Sequence, residues 1–206
     1  MKRIVLIFIS MVLASNCLMA QTSDYRDALR LYDKGMFSRS KMMFDKIEEQ
    51  TERKADPAGY SLLCDVRANV PGYENRIDTF LEEYPYSVLV PQVRFYHAVN
   101  LFDAGEYKAA LEQFNMISEN TLYKSQRTEF IFKSAYCELE NNNLYSARDG
   151  FKTVEGGKVT DYTAPSRYAI GYIEYNLKNF KEAILWFEKA ASDVRFKEMA
   201  GYYVME

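Results

Sequence analysis

Five phenylalanines constrain the fold more than any other feature: Phe44, Phe80, Phe114, Phe151 and Phe187 recur at steps of 36, 34, 37 and 36 residues. Seven residues before each stands an aromatic or a leucine, in Phe37, Tyr73, Tyr107, Leu144 and Phe180. Four before stand Ser40, Arg76, Ala110, Ala147 and Ala183, and sixteen before stand Ala28, Cys64, Ala98, Ala135 and Gly171. A period of this size marks stacked supersecondary units. Small side chains let two helices approach closely and the aromatics fill the space between successive pairs, so each unit is predicted to be helix, turn, helix. Gly35, Gly72, Gly105, Asn141 to Asn143 and Asn179 fall at the predicted inner turns, where positive φ is tolerated. Pro57, Pro91 and Pro165 fall at the starts of first helices, where a missing N–H is harmless. Tyr107 to Ile117 and Phe180 to Ala191 space their apolar residues by three and four, the helical period, and no segment sustains strand alternation.

These residues resemble the tetratricopeptide repeat. Its small residues at the eighth and twentieth positions, aromatic at the seventeenth and large apolar residue at the twenty-fourth are matched by Ala98, Ala110, Tyr107 and Phe114, and again by Gly171, Ala183, Phe180 and Phe187. Arg76 departs from the pattern in the second unit, the family's late proline is absent, and steps above the usual ~34 require longer connections. The resemblance implies an all-α fold, a right-handed superhelical solenoid of about five helix-turn-helix repeats. Repeats are expected over 21–55, a divergent 56–89, 90–123, 124–160 and 161–195, with the start of an incomplete sixth over 196–206. Phe80-Leu81-Glu82-Glu83-Tyr84-Pro85-Tyr86-Ser87 resembles a junction phrase of envelope repeat proteins related to outer-membrane assembly lipoproteins and the periplasmic cell-division coordinator.

Lys2 and Arg3 precede an apolar run from Ile4 to Ala14, and the first acidic residue is Asp24, the order of a secretory signal peptide over 1–20. The run is shorter than the ~20 residues a spanning helix needs, so export without a transmembrane anchor is expected, with cleavage after Ala20. Lipidation at Cys17 is the competing reading; Leu13-Ala14-Ser15-Asn16-Cys17 departs from the lipoprotein pattern by an extra residue and by Asn16. Losing Lys2 and Arg3 takes the net charge from −3 to −5. That balance argues against binding to nucleic acid, which needs clustered basic charge.

Little in the chain points to catalysis. His97 is the only histidine and lies beside Ala98 on the packing side of a first helix, with no acid or nucleophile fixed near it. Cys64 and Cys137 occupy small-residue slots two units apart, beyond the ~7 Å a disulfide spans, and are expected as packed free thiols. No zinc spacing and no Gly-rich phosphate loop occurs, so no cofactor or metal is expected and the protein reads as a non-enzyme.

The 31 aromatics, 17 Tyr, 13 Phe and 1 Trp, are the surplus in the composition. Nine fall at the two periodic positions and are assigned to the core. The resemblance implies that first-helix residues line an inner, partner-binding wall. Mapped through the register these are Tyr25, Tyr32 and Asp33 in the first unit, Asn69 in the second, Phe95 and Asp103 in the third, Phe132, Tyr136, Leu139 and Glu140 in the fourth, and Tyr168, Tyr172, Tyr175 and Asn176 in the fifth. The wall is aromatic with an acid or amide edge and lacks the Lys and Arg that family members use to clamp an acidic terminus. It suits an apolar or basic protein or peptide segment.

The expected function is an exported protein-interaction scaffold in the periplasm, at the inner face of the outer membrane, associated with an outer-membrane complex. The alternative is a glycan-binding module of a carbohydrate-uptake system, since rows of tyrosines also stack on sugar rings. Phe196 to Met205 restarts a helical pattern, which leaves two readings: the chain is part of a longer repeat protein, or Tyr202, Tyr203 and Val204 form an exposed docking patch.

Overall fold

A computed structural model describes residues 23–205; the predicted signal peptide and Cys17 lie outside them. The described residues form eleven α-helices and no strand. The first, α1, covers 23–33. It is followed by α2 (Phe37–Gln50), α3 (Ala55–Arg67), α4 (Tyr73–Glu83), α5 (Val90–Asp103), α6 (Tyr107–Asn115), a 3-10 turn over Glu119–Thr121, α7 (Lys124–Glu140), α8 (Leu144–Glu155), α9 (Thr163–Asn176), α10 (Phe180–Ala190) and α11 (Lys197–Met205). Two compact units divide inside α5, between Tyr96 and His97.

The periodic phenylalanines lie in α2, α4, α6, α8 and α10, and all five are buried. The small residues sixteen positions earlier, Ala28, Cys64, Ala98, Ala135 and Gly171, are buried as well. In the first unit Tyr60 of α3 stacks on Phe44 of α2 at 5.0 Å between centroids, while Tyr25 and Tyr32 meet that pair edge-on. In the second unit Phe151 meets Phe132 at 5.5 Å, and Tyr203 of α11 lies flat on Phe187 at 4.8 Å and 10°. The approach is close at Gly171, where a Cβ would stand 2.8–3.1 Å from the Phe187 ring.

Turn chemistry follows the predicted positions with one shift. Gly35, Gly72 and Gly105 have φ of 72°, 84° and 80°, and Asn142 has 63°. In the last inner turn the left-handed residue is Lys178, φ 62°, rather than Asn179, whose amide instead donates to Glu174 Oε2 at 2.8 Å. The longer connections lie between hairpins, over 84–89, 116–123 and 156–162.

Arg76, the exception to the small-residue rule, has a partner set of its own. Its guanidinium pairs with the buried Asp65 and donates to Ser61, which in turn donates to Asp45. Lys41 closes the group at 2.8 Å from Asp45. A polar cluster thus replaces small-residue packing between α2, α3 and α4, and the ions are tolerated near the core because each is paired.

Two expectations need correction. Phe180, assigned to the core by its period, is 54% exposed. Its ring rests on Tyr175 at 5.7 Å, while the contacts of α11 fall on Phe187 and Tyr175 and leave the rest of Phe180 open. Conversely, Tyr203 and Val204 are half-buried against Phe187, Ala183 and Ala190, so of the expected exposed patch only Tyr202 is open.

Candidate functional site

The first helices of the second unit, α7 and α9, bound a cleft of about 570 Å³. From α7 come Phe132, Tyr136, Leu139 and Glu140, and from α9 come Pro165, Tyr168, Ala169, Tyr172 and Asn176. Asn142 contributes from the turn before α8, Leu144 from the first position of α8, and Phe196 from the segment before α11. Residues 132, 136, 139 and 140 fall on one face because i, i+4, i+7 and i+8 recur on one side of a helix, and 165, 168, 169, 172 and 176 repeat the pattern.

The aromatic wall is braced from behind. Phe132 packs on Phe151 and lies 4.9 Å from Tyr162, Tyr136 meets Phe102 and Tyr107 at 5.4 Å each, and Tyr168 meets Phe196 at 5.4 Å. Burial, reinforced by the Glu140 carboxylate, pushes the Tyr136 hydroxyl up to about 12. Its hydroxyl is in hydrogen-bond contact with Glu140 and Tyr107 and stays protonated across physiological pH. Tyr172 keeps 38% of its surface open, and the Asn176 amide donates to the Tyr172 carbonyl at 2.8 Å. Among the described residues Glu140 is the one charged group in the lining.

Seven of the fourteen residues predicted for the wall meet here: Phe132, Tyr136, Leu139, Glu140, Tyr168, Tyr172 and Asn176. Tyr175 faces Phe180 and Tyr203 and does not line the cleft. Asp103 is exposed but held by Lys133, whose ammonium lies 2.8 Å from Asp103 Oδ1 and over the Phe102 ring. The remaining four lie in the first unit, together with Phe95. Tyr32 is buried there, its hydroxyl pushed far above the ordinary tyrosine range by that burial. Tyr25 is half-buried against Phe44 and Tyr60, and Phe95 is 1% exposed, so these aromatics take part in packing. Asp33 and Asn69 are exposed at the ends of their helices, Asn69 in a left-handed turn conformation.

The first-helix register does not include Asn142, Leu144, Pro165, Ala169 and Phe196: Leu144 falls at a core position of the period, and Phe196 lies outside the complete repeats, so neither carries the first-helix signal. The cysteines are buried and free, and burial pushes the Cys137 thiol up to about 12, away from nucleophilic use. Among the described residues no group of three His, Cys, Asp or Glu is placed to hold a metal ion.

No known family model matches the sequence, and no curated protein matches it. Solved structures do match. MamA of AMB-1 superposes with a TM-score of 0.65 at 16% identity, over 84% of this chain and 91% of MamA. The apo form of RapI gives 0.64 at 15%, over 89% of this chain and 77% of RapI. MamA of MSR-1 gives 0.59 at 15%, over 88% and 99%.

The fold is a tetratricopeptide-type helical solenoid.

The α7–α9 cleft lies between the first helices of two successive hairpins of the second unit. At these identities the likeness is one of architecture, and the chemistry of the cleft belongs to this chain. Among the described residues no helix is long and apolar enough to cross a membrane.

Proposed function

We propose that this protein is an exported, non-enzymatic scaffold that captures an extended segment of another protein in the α7–α9 cleft. The observation that carries the reading is the lining itself: tyrosine faces, one amide and one carboxylate on α7 and α9, with a second amide from the turn before α8. Recognition by a preformed aromatic groove needs no reacting group, and the one histidine and both cysteines of the described chain lie outside the lining. Lys2, Arg3 and the apolar run behind them support secretion, and the junction phrase at Phe80 to Ser87 supports work in the periplasm, in assembly of the envelope or outer membrane.

A glycan is the second reading, favoured by the open ring of Tyr172 in the same cleft as the amides of Asn142 and Asn176. Replacing Tyr136 and Tyr172 together with Ala is expected to abolish capture of the partner segment while the circular dichroism spectrum stays helical. Undiminished capture refutes the reading, and saccharide binding in place of peptide binding transfers the cleft to the second one. Mass spectrometry of the protein taken from its own cells should find a chain beginning at Gln21; retention of Lys2 and Arg3 contradicts export by cleavage.

A further inference from the structure

The charge of the cleft narrows what it can take. Glu140 also lines a second, more open hollow of about 560 Å³, together with Glu106, Glu112 and Lys108. Among the described residues none of these three glutamates is held in an ion pair. Tyr136, Tyr168 and Tyr172 supply π faces to the cleft that Glu140 also lines, and among the described residues no cation stands in that lining to oppose a positive ligand. A guanidinium fits this combination better than an ammonium. It is planar and weakly hydrated, stacks on aromatic rings, and donates several N–H groups to one carboxylate.

The first unit uses the same chemistry internally. The Arg67 guanidinium sits 4.7 Å from the ring centroids of both Tyr32 and Phe37, and 4.8 Å from that of Tyr96.

Resting on the reading of the cleft as a peptide-capturing site, we infer that it selects a segment bearing arginine. The guanidinium lies on the tyrosine faces against Glu140, and a neighbouring apolar side chain fills the space lined by Phe132, Leu144 and Phe196.

The test is a library of capped hexapeptides screened against the purified protein, followed by titration of the tightest binder and of its copy with citrulline, the neutral isostere, in place of arginine. The expected result is enrichment of arginine beside an aromatic or aliphatic residue and roughly tenfold weaker binding of the citrulline copy. Glu140→Gln should shrink that difference to about twofold. Peptides that lose binding on Tyr172→Ala yet bind equally well with citrulline overturn the arginine inference and leave peptide capture standing. If no peptide loses binding on Tyr172→Ala, peptide capture itself fails, and the inference with it.

Discussion

At the scale of single residues, the repeat register acts through volume. Gly171 sits where α9 crosses α10, and any Cβ there enters the ring of a fully buried Phe187 that is also clamped by Tyr168 and Tyr203. Because the ring cannot swing aside, Gly171→Ala is expected to destabilise the protein by about 1–3 kcal/mol, the usual cost of overpacking. Chemical denaturation measures it, and an unchanged midpoint would mean that the α9–α10 contact is looser than described. Residues of this kind were legible in the sequence, since a glycine at the small-residue position of a periodic pattern has a packing meaning. Arg76 was not: the sequence showed a broken rule, but the compensating Asp65, Ser61, Asp45 and Lys41 are scattered over two other helices and come together only in the fold. Phe180 failed in the opposite direction, since its period marks it as core, whereas burial depends on what the following helix covers.

The helices of the second unit carry an alkaline limit. Burial raises Cys137 and Tyr136 on α7, and Tyr162 at the entry to α9, to about 12 each. For Tyr162 the neighbouring Glu129 adds to the effect of burial. The folded chain therefore holds these protons more tightly than the unfolded chain, whose ordinary values are 9.0 for the thiol and 10.0 for the phenols. Stability from these groups is complete below about pH 9 and is lost as pH rises toward 12. Urea midpoints measured between pH 8 and 11.5 should fall steadily above pH 9, and a flat profile would show that these side chains are solvated in the native state. Helix placement itself was legible because glycine, asparagine and proline punctuate the period. The cleft was legible only in part. Periodicity identifies which residues lie on first helices, but not which first-helix aromatics the neighbouring hairpin will bury, and this is why Tyr25, Tyr32 and Phe95 pack while Tyr136, Tyr168 and Tyr172 line a cleft.

For the molecule as a whole, the proposed function is recognition by a tetratricopeptide-type stack, concentrated in the second unit. The surplus of tyrosine divides accordingly: in the first unit it encloses Arg67 and packs on Phe44, and in the second it stays partly open around Glu140. The measurement that tests this most directly is photocrosslinking in intact cells, with a benzophenone side chain placed in turn at Tyr172 in the cleft and at Leu185, which is exposed on α10 outside it. A discrete adduct with one protein segment is expected from position 172, none from position 185, together with binding of that segment as a synthetic peptide. Equal adducts from both positions, or none from position 172, would contradict the proposed function.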